Sequence, residues 1–174
     1  MPKLKLAIIG VGLIGGSLGM CLKDRLGDEI YITGMCRTQA SMDKAVELGA
    51  VDFASSNPEQ VVKEADIIFL STPVLQMVPM VEKLLPFIKP GAVITDAGST
   101  KQYIWNELKK ILPDNIYYVP GHPMTGREMS GVAAAKKDLF QNNCYVIVEM
   151  DDVSSEIHNN VCELVKLTGA NLTT

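Results

Sequence analysis

The hexapeptide GVGLIG at residues 10–15 constrains the fold more than any other part of the chain, because of the segments on either side of it. Residues 4–9 form a short apolar run that predicts a buried strand, and residues 17–26 have helical character. A G-x-G-x-x-G sequence at a strand-to-helix turn is the fingerprint of a dinucleotide-binding domain. The start of this chain therefore predicts nucleotide binding, and the alternative is a glycine-rich turn used only for packing.

Each glycine of the hexapeptide is expected to have its own physical role. Gly10 allows the tight turn, Gly12 lets the backbone approach a pyrophosphate, and Gly15 lets the helix pack closely on the strand. The exposed N–H groups at the start of the helix, near Leu13 and Ile14, are expected to hold the phosphates together with the positive end of the helix dipole.

The rest of the chain alternates between strand-like and helix-like segments. Further strands are predicted at residues 30–34, 51–54, 67–70, 92–95, 116–119 and 145–148. Helices are predicted at residues 41–48, 76–85, 102–112 and 154–167, with another beginning at Asn57-Pro58. This alternation predicts an α/β fold, with a doubly wound, mostly parallel Rossmann-type sheet in one dinucleotide-binding domain over residues 1–174. Residues 171–174 resemble a strand cut short, so the chain is expected to be a fragment.

Composition narrows the classes of partner. The chain has 174 residues, 47% hydrophobic and 21% charged, which is typical of a globular protein. Its net charge is −4 and it has no basic stripe, so nucleic acid is not an expected partner. The apolar stretch near the N-terminus is broken by glycines, so neither a signal peptide nor a membrane span is expected.

The cysteines and histidines carry little further signal. The four cysteines are scattered without a C-x-x-C pair, which predicts reduced thiols in a cytoplasmic protein. With only two histidines, a metal site is not expected. One of them, His158, lies in a polar helical segment and is predicted to be a surface residue.

The segment after the second predicted strand bears on the choice of dinucleotide. NAD-binding versions of this fold place an acidic residue there to bind the ribose hydroxyls. Here Cys36 stands at that position and is followed by Arg37 and Thr38. An arginine beside a hydroxyl suits a 2′-phosphate, so NADP is favoured. In the alternative, Arg37 stacks on the adenine ring and NAD binds through other contacts.

Three polar or glycine-containing segments follow the fourth, fifth and sixth predicted strands. They are STPV at residues 71–74, DAGSTK at 96–101 and GHPMTGRE at 121–128. Ligands of a doubly wound sheet lie beyond the carboxyl ends of its strands. We therefore expect the three segments to converge near a nicotinamide placed by the first loop.

With these motifs the chain resembles the N-terminal nucleotide-binding domain of prephenate/arogenate dehydrogenases, the TyrA family of tyrosine biosynthesis. The resemblance rests on GVGLIGGSLG, STPV, DAGSTK and GHPMTGRE, in matching order and spacing. It implies oxidation of prephenate or arogenate with loss of carbon dioxide, giving 4-hydroxyphenylpyruvate or tyrosine, and hydride transfer to NAD(P).

The resemblance also implies roles for individual residues. His122 matches the catalytic histidine, which accepts the proton of the substrate hydroxyl. Ser99 matches a serine that hydrogen-bonds this histidine, the substrate and the nicotinamide side, and Glu128 matches an acidic residue at the mouth of the site. Contacts to the cofactor are expected from Ser71, Thr72 and Pro73.

Structural alternatives exist for several of these residues. Ser99 could be only a helix N-cap, and Lys101 is predicted to be simply solvated. Asp96 is as suited to shaping its loop as to touching a ligand.

The resemblance further implies a helical second domain that this chain lacks, and through it a homodimer of the full-length protein. The chain alone is therefore expected to bind dinucleotide and to turn over prephenate poorly. Two other functions remain open: another dehydrogenase, of the hydroxyisobutyrate or 6-phosphogluconate type, and a non-catalytic nucleotide-sensing module.

Overall fold

The main sheet has six strands and is parallel throughout. The computed structural model describes residues 3–126 and 128–174. The strands are β1 (Leu4–Ile9), β2 (Ile30–Met35), β3 (Phe53–Ser55), β4 (Ile67–Leu70), β5 (Val93–Asp96) and β6 (Tyr117–Val119). Their spatial order is β3-β2-β1-β4-β5-β6. This is the order of the doubly wound dinucleotide-binding fold, so the predicted Rossmann-type sheet is confirmed.

In the described part of the chain, six α-helices connect or flank the strands. They are α1 (Leu13–Leu26), α2 (Gln39–Glu47), α3 (Pro58–Val62), α4 (Val74–Leu84), α5 (Gln102–Ile111) and α6 (Ser155–Lys166). Short 3-10 turns occur at Gly27–Glu29, Leu85–Phe87 and Val132–Ala134. Within the described residues, none of these helices has the length and apolar character needed to cross a membrane.

The helices cover both faces of the main sheet. Leu6 and Ile8 of β1 belong to the core that includes α1 and α6, whereas Ala7 and Ile9 belong to the core that includes α3, α4 and α5. All four side chains are at most 1% exposed. Successive strand residues point to opposite faces, so a strand buried on both sides reads as a continuous apolar run.

A second, three-stranded sheet stands beside the first. It consists of β7 (Gly121–Pro123), β8 (Cys144–Ile147) and β9 (Asn171–Thr173), with β8 antiparallel to β7 and parallel to β9. The strands predicted near residues 145–148 and 171–174 are present, but they do not extend the parallel sheet. Pro120 separates β6 from β7, and its missing N–H group cannot continue a strand ladder.

Two helices begin earlier than the residue pattern predicted. Helix α2 begins at Gln39, because the Thr38 hydroxyl caps it by accepting a hydrogen bond from the N–H of Ser41 at 3.2 Å. Helix α4 begins at Val74, which places Pro79 beyond its first turn. The predicted start of α3 is confirmed, since Asn57 accepts a hydrogen bond from the N–H of Glu59 at 2.9 Å.

The surface position predicted for His158 is wrong. The residue is 7% exposed, and its Nε2 lies 3.3 Å from the sulfur of Cys162, one helical turn further along α6. The helix packs its inner face, which carries Val161 and Val165, into the core. His158 shares that face because residues three, four and seven positions apart lie on one side of a helix.

Candidate cofactor and active site

A cleft opens where the strand order of the main sheet reverses. β1 pairs with β2 on one side and β4 on the other, and the connections after β1 and β4 depart to opposite faces. Such a reversal is where ligands of open α/β sheets bind. The cleft has a volume of about 490 Å³ and is lined by Ile9, Gly10, Val11, Gly12, Met35, Cys36, Arg37, Thr38, Ser41, Ser56, Ser71, Thr72, Pro73, Gln76 and Met80.

The glycine loop forms one wall of this cleft. Gly10 has φ +91°, a left-handed conformation that favours glycine. A Cβ atom on Gly15 would lie 2.3 Å from the carbonyl oxygen of Gly10 and 2.5 Å from the hydroxyl oxygen of Ser71. A Cβ atom on Gly12 would meet no atom within 4 Å. The loop is thus tightly packed at Gly10 and Gly15 and open at Gly12.

The start of α1 suits an anionic group. Gly12 is the N-cap and supplies no side-chain hydrogen bond, and the first turn of the helix, with Leu13 and Ile14, carries no acidic residue. Free N–H groups at a helix start bind phosphate oxygens. Leu13, Ile14 and Gly15 themselves do not line the cleft, whereas Gly12 at the start of the helix does.

The segment after β4 supplies the opposite wall. The Ser71 hydroxyl donates a hydrogen bond to the carbonyl of Gly10 at 2.6 Å and so ties the two loops together. The hydroxyl oxygen of Thr72 is buried and has no hydrogen-bond partner among the described residues. Buried polar groups are normally paired, so Thr72 fits a ligand that completes its hydrogen bonding.

The far end of the cleft carries the residues predicted to select the dinucleotide. Burial raises the pKa of the Cys36 thiol, which keeps this position uncharged. Arg37 and Thr38 are exposed at the rim. Among the described residues that line the cleft there is no carboxylate.

The predicted site residues did not include Ser41 or Ser56, whose hydroxyls also line this end of the cleft. The position of Ser41 three residues after the Thr38 cap could have indicated it, whereas only the tertiary fold brings Ser56 in.

The loop after β5 is organised by a buried carboxylate. Asp96 is 0% exposed and accepts hydrogen bonds from the N–H groups of Gly98 and Gly121, from the Tyr118 hydroxyl and from the Lys101 ammonium. The prediction that Lys101 is solvated is wrong: its side chain is 20% exposed and pairs with Asp96. Burial lowers the pKa of Lys101, and the charge of Asp96 opposes that effect. Asp96 therefore shapes the loop.

His122 lies in β7, just beyond the carboxyl end of β5. Its Nδ1 is 3.3 Å from the carbonyl oxygen of Ala97. A carbonyl oxygen can only accept a hydrogen bond, so this contact favours the tautomer that carries its proton on Nδ1 and has an unprotonated Nε2. The half-buried ring can therefore act as a base through Nε2.

Ser99 and Glu128 form no hydrogen bond with His122 among the described residues. Ser99 is exposed, two residues after Ala97, and its hydroxyl makes no hydrogen bond within the described part of the chain. It is not the helix cap of the structural alternative, because the N-cap of α5 is Lys101. Glu128 is exposed in the loop after β7, next to Arg127, which lies outside the described residues. Neither Ser99 nor His122 lines the dinucleotide cleft.

Comparison with known proteins identifies the family to which this chain is similar. The profile described as "Prephenate dehydrogenase, nucleotide-binding domain" matches residues 18–174. Prephenate dehydrogenase of Bacillus subtilis (strain 168) is 35% identical over 164 residues, which cover 94% of this chain and 44% of that protein. The chain thus spans about half the length of the curated relatives it matches.

Solved structures agree with the sequence match. Arogenate dehydrogenase of Synechocystis superposes with a TM-score of 0.89 at 32% identity, over 98% of this chain and 59% of that one. Prephenate dehydrogenase from A. aeolicus, in complex with hydroxyphenyl propionate and NAD+, superposes with a TM-score of 0.88 at 27% identity, over 99% of this chain and 60% of that one. With the parallel sheet, the glycine loop and the matched profile, the chain belongs to the family of prephenate dehydrogenase nucleotide-binding domains.

Proposed function

We propose that residues 1–174 form one dinucleotide-binding domain that holds a nicotinamide dinucleotide in the cleft between β1 and β4. The observation that carries this proposal is the open space in front of Gly12, at the start of α1, where no side chain hydrogen-bonds to the first N–H groups of the helix. A pyrophosphate would be held there by backbone N–H groups. The ribose and nicotinamide would continue past Thr72, toward the edge where His122 lies.

Within this proposal, NADP is the preferred cofactor. A 2′-phosphate would meet the Arg37 guanidinium with the hydroxyls of Thr38, Ser41 and Ser56 close by, and no carboxylate among the described lining residues would repel it. NAD, which has no 2′-phosphate, would lose the charged hydrogen bond to Arg37 and the contacts of that phosphate with the neighbouring hydroxyls.

The reaction that we propose is the oxidative decarboxylation of prephenate or arogenate by the full-length protein. Two of the relatives described above are named prephenate dehydrogenase and arogenate dehydrogenase, which supports this choice of substrates. When bound, the nicotinamide ring supplies the hydride acceptor. His122 accepts the proton of the substrate hydroxyl at Nε2, and the Ala97 carbonyl keeps the ring oriented through Nδ1. Ser99 would orient the same hydroxyl, and Glu128 would lie at the rim. Loss of carbon dioxide is driven by formation of the aromatic ring and needs no protein base.

Assembly as a homodimer and a cytoplasmic location belong to the same proposal. The homodimer is implied by the family resemblance, and the cytoplasmic location is inferred from the scattered cysteines, which are free in the structure. Sizing of the full-length protein by light scattering tests the dimer directly.

Titration calorimetry of the chain with NADP and with NAD tests cofactor choice. Arg37→Ala should weaken NADP binding by about 1.5–3 kcal/mol, the value of a charged hydrogen bond, and leave NAD binding unchanged. Arg25→Ala, at the far end of α1, is the matched control and should change neither. Equal binding of NAD and NADP by the wild type would contradict the NADP preference, and absence of both would contradict the domain's proposed role.

A turnover assay on the full-length protein tests the chemistry. His122→Asn should lower turnover of prephenate and arogenate by roughly 10²–10⁴-fold, the range for a general base, and retain cofactor affinity. A variant that retains turnover would favour a dehydrogenase with its base elsewhere. A wild type that binds cofactor without turning over either substrate would favour the nucleotide-sensing alternative.

A further inference from the structure

The buried cluster around Asp96 joins the end of β5 to two consecutive strands, β6 and β7, whose contacting residues lie 22 and 25 positions later in the chain. Asp96 ends β5, Tyr118 lies in β6 and Gly121 begins β7. One carboxylate oxygen accepts from the Tyr118 hydroxyl at 2.9 Å and from the Gly121 N–H at 3.2 Å. The other accepts from the Gly98 N–H at 2.9 Å and from the Lys101 ammonium. Burying a charge is costly unless it is paired and hydrogen-bonded, and here both oxygens are fully engaged.

The cluster also binds the carbonyl oxygen of Gly121. The Lys101 ammonium donates a second hydrogen bond to the Gly121 carbonyl oxygen at 2.5 Å. Both backbone polar groups of Gly121 are therefore bound by one ion pair. A Cβ atom on Gly121 would lie 2.9 Å from the Asp96 carbonyl oxygen, so the two segments approach as closely as glycine permits.

The hydrogen bonds of the cluster hold two peptide units next to His122, one that contains the His122 N–H group and one whose carbonyl faces the His122 ring. The Gly121 carbonyl belongs to the peptide unit that contains the His122 N–H group. The Ala97 carbonyl, which faces His122 Nδ1 at 3.3 Å, belongs to the peptide unit whose N–H is that of Gly98. Lys101 holds the first unit and Asp96 holds the second.

We propose that Asp96 is a positioning residue for His122. Together with Lys101, it holds the Gly121 and Ala97 peptide units so that the ring keeps its proton on Nδ1 and offers Nε2 as the base. The inference rests on the proposed function only in taking His122 as the base. Its structural content, the selection of one tautomer by a buried ion pair that does not touch the ring, stands independently of activity.

Nitrogen-15 NMR of the labelled chain reads the tautomer of His122 directly. Spectra recorded at about pH 8.5, where an ordinary histidine is neutral, separate protonated from unprotonated ring nitrogens. The wild type should show the Nδ1–H form for His122. Asp96→Asn should shift the tautomer ratio by roughly three- to tenfold toward Nε2–H, the range for loss of one hydrogen bond. His158, the second histidine of the chain, serves as an internal reference.

Asp66→Asn is the matched control. Asp66 also accepts from a backbone N–H group, that of Lys5 at 2.9 Å, and from a lysine, Lys89 at 2.6 Å, but at the opposite end of β4. It should leave the His122 signals unchanged. A purely structural role for Asp96 would lower the melting temperature without moving the tautomer ratio.

A second variant keeps the test decisive if Asp96→Asn does not fold. Lys101→Met retains the carboxylate and its other three donors but releases the Gly121 carbonyl, and it should shift the His122 ratio in the same direction. Lys89→Met is its control. Unchanged His122 signals in either folded cluster variant would overturn the proposal. Cofactor titration of the wild type is a separate measurement, so failure of the proposed function would be recognised independently.

Discussion

At the scale of single residues, the glycine loop contains two glycines with opposite requirements. Gly15 is enclosed, since its missing Cβ would meet the Gly10 carbonyl and the Ser71 hydroxyl. Gly12 faces open space. The same residue type therefore serves close packing at one position and approach of a ligand at the other.

Substitution by alanine should separate these roles. Gly15→Ala should destabilise the fold by about 1–3 kcal/mol, the usual cost of overpacking. Gly12→Ala should retain the stability of the wild type and lose most NADP binding, because its methyl group occupies the space of the pyrophosphate. Urea unfolding and titration calorimetry measure the two effects. Gly126→Ala, which adds a methyl group into open space, is the control for both. Strong NADP binding by Gly12→Ala would contradict this assignment.

Tyr118 makes stability depend on pH in the alkaline range. Burial, and secondly the charge of Asp96, raises the pKa of Tyr118 above its ordinary value near 10, and burial does the same for Tyr145. In the unfolded chain both phenols ionise near pH 10, whereas the folded chain keeps their protons. The stability that they contribute is therefore complete below about pH 10 and is lost as the pH rises further.

The expected slope is about −1.4 kcal/mol per pH unit for each buried tyrosine above pH 10. Tyr118→Phe should remove one such contribution, so its unfolding free energy should fall less steeply than that of the wild type. Urea unfolding between about pH 9 and pH 11 measures both slopes. Equal slopes for the two proteins would show that Tyr118 ionises normally in the fold.

At the scale of elements, α4 contains a proline where a helix normally has a hydrogen bond. Pro79 is the sixth residue of the helix, so an N–H group there would donate to the Leu75 carbonyl. Its ring is exposed and adds little to the core. The helix persists because Met77, Val78, Val81 and Leu84 bury its inner face.

Pro79→Ala should therefore stabilise the protein by about 1–2 kcal/mol, less than the full cost of about 3 kcal/mol for an interior proline, since proline also restricts the unfolded chain. Pro58→Ala is the informative control, because Pro58 occupies the first position of α3, where proline is favourable. This control should be neutral or slightly destabilising. Thermal unfolding compares the two, and a destabilised Pro79→Ala would contradict the argument.

At the scale of the whole molecule, bound dinucleotide should stabilise the fold, because it joins the loops after β1, β2 and β4. NADP at one hundred times its dissociation constant should add about 2.7 kcal/mol. For a protein of this size that is a rise of roughly 5–10 °C in melting temperature. Gly12→Ala is the control and should show little rise. An equal rise in that variant would place the cofactor elsewhere.

Much of the fold could be predicted because its signals are local. The apolar run of β1, the glycine turn and the start of α1 follow one another directly between Leu4 and Leu13, and strand and helix periods are properties of adjacent residues. The Asn57-Pro58 helix start has the same local character. The candidate catalytic residues His122 and Ser99 were predicted from the motif resemblance. The structure shows no hydrogen bond between these two residues in the described part of the chain.

The sequence by itself therefore determined the alternation of strands and helices that builds the main sheet and the position of the glycine loop, and it predicted which residues lie at the chemical edge. Only the tertiary structure decided that β7, β8 and β9 form a separate sheet, that Lys101 is paired with Asp96, and that His158 is buried. These outcomes depend on contacts between residues that are far apart in the chain or on which face of an element meets the core. Such contacts are selected by packing of the whole molecule, and no local pattern of residue types encodes them.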